Sequence, residues 1–467
     1  MTRKAAALAC AAIWIAAAQP VDRTKPPATP PIPSYKLPPV HQSKLGNGLT
    51  VEMVEDARFP LVTVRLVFPE AGSKTDPAEL AGLAEASATL LKEGTRTRAS
   101  RQIAEELAAI GGTLDGNAGR DAVSISAAAL AEHSGKLLEL VADVARHAVF
   151  PPEEVRLYQQ NQKQRLAARR AQADYQADER FSAVLFGPHP YSRISATPES
   201  IDRLSPEGLG KFRDTYLTPA QAVLIVLGRT GPRAALLRQI EQRFGDWEQK
   251  PVPVRPTVKP PDPKRKIVLV DRPGSVQADL RIGQLAASYA DPNHFPLMAG
   301  NGILGMGTSS RLFLNIREAK GYAYQANSIV SRFREGAYFS VITQVRNEVV
   351  APAIEAVLAE LDKMAREPVT AAELSSIKNF ISGVFVMGLE SQGGLANQLA
   401  LVKTMGLPNQ YLETYTTKVR SVEPGQIEQA AATYIAPGDA TIVVVGDAAK
   451  IGDAVRKFGE VEITKAQ

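Results

Sequence analysis

Two short stretches carry the side chains best placed to do chemistry. The first, GLAEASATLLKEGT (Gly82–Thr95), opens on a glycine, continues as an alanine- and leucine-rich helix, and closes on Gly94-Thr95. It offers Glu85, Ala88 and Thr89, and no histidine. The second, GMGTSSRLFLNIREAKGYAYQ (Gly305–Gln325), places Arg317 seven residues before Tyr324. Here Ser309 or Ser310 can cap a helix whose apolar positions Leu312, Phe313 and Ile316 make one stripe. Lys320 suits the last turn, and Gly321 suits a left-handed stop. YAYQANSIV then leaves as a strand, with Tyr322 and Tyr324 on one face and the next turn at Arg334–Gly336. Arg317 therefore ends a helix and Tyr324 begins the strand returning beside it, so the two can point into one pocket.

Other chemistries lack their residues. A catalytic zinc needs about three protein ligands and an open position. The five histidines (His41, His133, His147, His189, His294) form no pair at ligand spacing. His189, between two prolines in FGPHPYSR, reads as a surface-loop histidine. Ser87 has neither a histidine nearby in sequence nor the glycines of a nucleophile elbow. ILGMGTSSRLF contains G-x-G but neither the phosphate-loop nor the dinucleotide pattern. The single cysteine, Cys10, lies in the first residues, which leaves the rest without disulfide or thiol chemistry.

The elements around these stretches mix two periodicities. TVRLVFPEAGS reads as a strand, GKLLELVADVARHAV as a helix, and PVTAAELSSIKNFISGVF as a helix with Pro368 ahead of its start. The chain also repeats itself. TYLTPAQAVLIVLG (Thr215–Gly228) returns as TYIAPGDATIVVVG (Thr433–Gly446), and Pro206 returns as Pro424, at one offset of 218 residues. We read an internal duplication. The expected fold is α+β, with two homologous halves, each a mostly antiparallel sheet packed with helices. The expected boundaries are a signal peptide at 1–19, a proline-rich linker at 20–41, a first domain at 42–250, a second proline-rich linker at 251–264 and a second domain at 265–467.

Both stretches resemble motifs of the pitrilysin/insulinase family of zinc peptidases. The family's first motif runs G-x-A-H-x-x-E-H before G-T. Laid upon it, Glu85 takes the first histidine's place, Ala88 the catalytic glutamate's and Thr89 the second histidine's. The family's third ligand is a glutamate on a helix seventy to eighty residues downstream, and VRLYQQNQKQRLAARRAQA (Val155–Ala173) has no acid. The resemblance therefore implies a degenerate zinc site, no metal in this chain, and Glu85 as a solvated helix residue. The second stretch resembles the family's S-S-R-L-F, R-E, G, A-Y motif. Arg317 and Tyr324 match the arginine and tyrosine that close over the zinc site and bind the substrate carbonyl. A guanidinium and a phenol can donate hydrogen bonds to the negative charge that develops on that oxygen. Gly305, Gly307 and Thr308 correspond to a loop that would touch substrate. Some family members, the mitochondrial processing peptidase among them, divide these motifs between two chains.

The resemblance thus implies a noncatalytic subunit, one side of a clam-like chamber, with Arg317 and Tyr324 serving a homologous partner chain that holds the zinc. The complex would hydrolyse peptides, and this chain would not do so alone. A rival of another class is an inert scaffold or peptide-binding protein of the same fold. A formal charge of +5 is spread in short runs without aromatic interleaving, which disfavours nucleic-acid binding. MTRKAAALACAAIWIAAAQP has a basic start, an apolar run and small residues in signal-peptide order, so the chain is expected to be exported, periplasmic or extracellular. Cys10 leaves a lesser prospect of lipid attachment. No later apolar run is long enough to span a bilayer.

Overall fold

The apolar runs of the chain assemble into two six-stranded sheets. The first contains β1 (His41–Lys44), β2 (Thr50–Glu55), β3 (Leu61–Pro69), β4 (Thr113–Ala118), β5 (Ala122–Leu130) and β6 (Val223–Gly228), in the order β1-β2-β6-β3-β5-β4. The second contains β7 (Ile267–Asp271), β8 (Gln277–Leu285), β9 (Ala323–Arg332), β10 (Ala337–Arg346), β11 (Thr441–Gly446) and β12 (Val461–Lys465), in the order β12-β7-β11-β8-β10-β9. This computed structural model describes residues 36–466, so the signal-like segment with Cys10, and most of the first linker, lie outside the described residues. None of the described helices is long and apolar enough to cross a membrane.

Each sheet is mixed. Pairing is antiparallel around β3 and β5 and around β8 and β10, whereas β6 runs parallel to β2 and β11 parallel to β7. Parallel neighbours need a long crossover, and the helices between β2 and β6 provide it. The two sheets share one strand order except at one edge. In the first that edge is β1, antiparallel to β2; in the second it is the C-terminal β12, parallel to β7.

Helices α1 (Leu83–Leu90), α2 (Pro152–Arg170), α3 (Ala173–Phe186) and α4 (Pro206–Tyr216) belong to the first half; α5 (His294–Gly305), α6 (Ala371–Leu389), α7 (Gln392–Thr404) and α8 (Pro424–Tyr434) belong to the second. α4 and α8 start and end 218 residues apart, as do β6 and β11. Both α2–α3 and α6–α7 are helix pairs, and the second helix of each crosses to the other half. Phe181, Leu185 and Phe186 of α3 pack with Val268 and Val443 of the second sheet, and Ala177 packs with Val270 and Val445. α7 lies on β3 and β6 of the first sheet, with Leu395, Ala396, Leu399 and Val402 buried. The polar contacts repeat as well. Arg281 on β8 pairs with Asp178 of α3 at 2.6 Å, and Arg65 on β3 donates to Asn397 Oδ1 of α7 at 3.1 Å. Lys403 of α7 meets Glu52, fully buried on β2, at 2.6 Å.

The turn between β9 and β10 completes the join. Lys74, 6% exposed, sits among Glu70 (2.5 Å), Glu335 (2.5 Å) and Asp121 (3.5 Å). The Tyr191 hydroxyl donates to Asp121, and the backbone N–H of Arg334 donates to the other Asp121 oxygen at 2.9 Å. His189 is a correction to the sequence reading. It is 1% exposed, accepts from Tyr191 N at Nδ1 and lies 3.7 Å from Glu335 through Nε2. Tertiary packing brings the second half over a loop that looks exposed in sequence. The His189 ring and the Lys74 ammonium hold the Glu335 carboxyl down to about 2, against the opposing effect of burial.

Because each half covers the other's sheet, the described residues should unfold as one unit. Leu399→Ala should cost about 2–5 kcal/mol and lower a single calorimetric transition. Two separated transitions, in wild type or variant, would contradict the exchange.

Candidate functional site

Helix α1 begins where Gly82 takes a left-handed φ of 96°, and its first amides find an acceptor outside the helix. Asp76, 2% exposed, accepts from Gly82 N at 2.9 Å and Ala84 N at 3.0 Å. Burial outweighs these two bonds and pushes the Asp76 carboxyl up to about 7. The other end of α1 is pressed against β4. A Cβ on Gly116 would lie 2.1 Å from the Ala88 carbonyl oxygen, so only glycine permits that approach.

The degenerate positions are therefore packed rather than loose. Ala88 is fully buried. Glu85 and Thr89 stand one helical turn apart, and Glu85 Oε2 accepts from Ala118 N at 3.2 Å. Glu85 is half-buried, and burial raises its carboxyl above the ordinary range. This corrects the reading of Glu85 as a solvated helix residue: β4 and α2 stand over that face of α1.

Between them lies a cavity of about 610 Å³, lined by Asp76, Gly82 and Glu85, by Tyr158, Gln162, Arg165 and Arg169 of α2, and by Tyr175 and Arg193. The helix that the resemblance would have carry a third ligand thus presents an amide and guanidinium groups. Two carboxylates already accepting from backbone N–H groups, among an amide, two phenols and three guanidiniums, are not a zinc donor set, and this chain's residues do not fit the ion. Among the described residues no group of three or more His, Cys, Asp or Glu could hold a metal. Asp76, Gln162, Arg165, Arg169 and Arg193 were not singled out by the sequence, because no short motif joins residues so far apart in the chain.

The second stretch folds differently from an ordinary helix. After one α-helical step at Arg311 it becomes a π-helix over Phe313–Ala319, with Lys320 N bonding Asn315 O at 3.1 Å. Ser310 does not cap it; its hydroxyl donates back to Gly307 O at 2.8 Å. A π-turn holds nearly one residue more than an α-turn, which stacks side chains four apart. The Arg317 guanidinium lies 4.7 Å from the Phe313 ring centre and 4.8 Å from that of Tyr324, between the two. Leu312 and Ile316 are fully buried beneath it. Gly321, at φ 62°, turns the chain into β9.

Arg317 and Tyr324 are thus brought together, but not into a pocket of this chain. β9 is the edge strand of its sheet, so nothing covers the outer side, and Tyr324 is 77% exposed. The only acid paired with Arg317 among the described residues is the neighbouring Glu318, at 3.4 Å. The preceding loop is Met306–Ser309, which is exposed. Gly305 is not part of it. Gly305 ends α5, buried against β9, where a Cβ would sit 2.2 Å from Ser328 N. Gly307, at φ 83°, and Thr308 stand in open space.

Comparisons with known proteins agree with this architecture. Residues 50–199 match the family model of insulinase peptidases (peptidase family M16), and residues 203–381 match that of the M16 inactive domain. An uncharacterized zinc protease of Bacillus subtilis is 25% identical over 346 residues, covering 74% of this chain and 83% of the relative. An uncharacterized zinc protease of Streptomyces coelicolor is 23% identical over 406 residues, covering 84% and 86%. The fold is shared with a peptidase M16 inactive domain from Pseudomonas fluorescens (TM-score 0.81, 23% identity, 87% of this chain and 98% of that one). It is shared also with a protease from Helicobacter pylori (TM-score 0.77, 20% identity, 88% and 100%).

Two predictions follow from the geometry around α1. The purified chain should carry no stoichiometric zinc by elemental analysis, and Glu85→His with Ala88→Glu and Thr89→His should not create a tight site, since Gln162 and Arg165 face it. One firmly held zinc per wild-type chain would refute this. The second concerns Asp76. Its folded pKa, about 7, lies above its ordinary 3.8, so its contribution to stability is full below about 4 and is lost as pH rises through 7. Asp76→Asn should therefore gain stability relative to wild type between pH 4 and 7, measured by urea unfolding at each pH. A constant difference would contradict the assignment.

Proposed function

The chain belongs to the insulinase family of peptidases, M16, and we propose that it is the noncatalytic member of a two-chain zinc peptidase. In this reading Arg317 and Tyr324 reach the zinc site of a homologous partner, which supplies the metal, its ligands and the general base. The two chains would enclose a clam-like chamber that admits peptides small or unfolded enough to enter. The observation that carries the reading is the Arg317–Tyr324 stack itself: two hydrogen-bond donors held together by a π-helix, with the tyrosine left uncovered.

Three features support it. π-helical turns often occur at functional sites. The first-half residues present donors unsuited to zinc, so hydrolysis by metal-bound hydroxide needs a second chain. The exposed loop Gly307–Thr308 stands beside the stack in sequence and is free to meet a bound peptide. The signal-like residues 1–19 would carry the protein out of the cytoplasm.

The test is turnover of a fluorogenic peptide by the chain reconstituted with an M16 partner bearing H-x-x-E-H, with assembly checked by gel filtration. Tyr324→Phe removes one hydroxyl and keeps the ring under Arg317. It should lower kcat by roughly 10²–10³, the cost of one oxyanion donor, while the pair still forms. Arg317→Ala should do at least as much. The two effects should combine to less than their sum if both donors hold one oxygen. Unchanged turnover from an assembled pair carrying both substitutions would leave this chain an inert scaffold.

A further inference from the structure

Side chains four apart line up along the π-helix, and each row meets different surroundings. Leu314 and Glu318 face water, whereas Leu312 and Ile316 are buried. Phe313 and Arg317 make the stack with Tyr324. The remaining row, Arg311 and Asn315, meets two carboxylates. Arg311 donates to both oxygens of Glu373 on α6, at 2.8 and 3.1 Å, and Asn315 Nδ2 donates to Glu360 Oε1 at 2.5 Å. Residues two apart do not share a helix face, so Asn315 points away from the side that carries Arg317.

The two carboxylates differ in what else they do. Glu373 closes the capping box of α6 with Thr370. Glu360 has no such local task. It lies on the helix Val350–Arg366, only 4% exposed, in a stripe whose neighbours Ala353, Val357 and Met364 are fully buried. Its partners among the described residues are Asn315 and the half-exposed Lys363, at 2.9 Å. Burying a carboxylate carries a desolvation cost that an apolar side chain of similar volume avoids, so stability alone does not call for an acid there. Asn315 also serves the turn through its backbone, since its carbonyl accepts from Lys320 N at 3.1 Å. One residue thus joins the buried acid to the bond that closes the turn ahead of Gly321 and Tyr324.

We propose that Glu360 is a positioning residue: through Asn315 it fixes the rotation of the π-helix about its axis, and so aims the Arg317 guanidinium at Tyr324. Leu312 and Ile316 seat the helix by apolar contact, which is non-directional and leaves it free to roll. A hydrogen bond to a buried carboxylate is directional and strong, and it removes that freedom. The consequence for turnover rests on the function proposed above; the geometry belongs to this chain alone.

The experiment reads the two separately. In the isolated chain, fluorotyrosine placed at position 324 senses the nearby guanidinium through its fluorine resonance, and Arg317→Ala supplies the reference for a lost stack. Glu360→Leu and Asn315→Ala should move the resonance toward that reference. Glu360→Gln keeps an oxygen for Asn315 and should leave it near the wild-type position. Glu360→Leu should melt no lower than wild type, and Asn315→Ala, at a partly exposed position, repeats the test should the leucine disturb folding. A resonance unmoved by both substitutions would overturn the proposal. In the reconstituted pair Glu360→Leu should lower kcat roughly tenfold to a hundredfold, the cost of a small misplacement, while the pair still assembles. It should add nothing in an Arg317→Ala background. Equal losses in the two backgrounds would place the action of Glu360 elsewhere and overturn the proposal too. If Arg317→Ala itself leaves turnover unchanged, the two-chain reading fails, and the fluorine resonance still decides the role of Glu360.

Discussion

α3 and α7 bury their apolar faces on sheets they do not belong to, and the rest of the structure depends on that exchange. Strands such as β6 and β11 are apolar on both faces, with Val443 and Val445 buried on one side of β11 and Ile442 and Val444 on the other. A half with helices on one face alone would leave the second face in water, at about 25 cal/mol for each Å² of apolar surface. Exchange removes both faces at once, and neither half can lose its neighbour without exposing its own sheet. The Lys403–Glu52 and Arg281–Asp178 pairs then fix which face meets which helix, since Glu52 and Arg281 are buried and either left without its partner would be costly.

This constraint explains why a zinc-peptidase framework can persist without its zinc ligands. α1 is held by Asp76 at its start and by the Gly116 contact near its end. Glu85 and Thr89, at i,i+4 on one helix face, sit at the motif positions, with Glu85 anchored to Ala118 N of β4. The cavity above them survives because α2 is fixed at its far side by Gln159, which donates to the carbonyls of Ile201 and Leu204. Nothing that shapes the space depended on what filled it.

Much of the fold was legible because duplication and periodicity are local signals. The offset between TYLTPAQAVLIVLG and TYIAPGDATIVVVG reappears as α4–β6 and α8–β11, and the strand and helix read at Thr63 and Gly135 stand where expected. The parallel pairings, the exchange and the burial of His189 were not legible, since each rests on contacts between segments far apart in the chain. The π-helix was hidden for another reason. Ser309-Ser310 followed by an apolar stripe is a sound start for an α-helix, and nothing in that pattern distinguishes an α-turn from the wider turn that forms. Glu85 was misread because exposure was judged from its helix alone, whereas β4 and α2 cover it.

The two candidate sites differ in the one property that decides what a polar group is worth. Glu85 and Asp76 already stand partly shielded from water, which raises both carboxyls and strengthens their bonds to the backbone N–H groups that hold them. Arg317 and Tyr324 stand in water. A hydrogen bond from an exposed phenol competes with solvent and gains little, since the field between two charges falls as the dielectric rises. Their geometry is nevertheless prepared: the guanidinium is fixed between two rings, so little conformational entropy remains to be lost when it engages an oxygen. Preorganised donors with no enclosing wall amount to half of a site. Only a surface that excludes water from Tyr324 would turn the stack into an oxyanion hole, and the edge position of β9 leaves room for that surface to come from another chain.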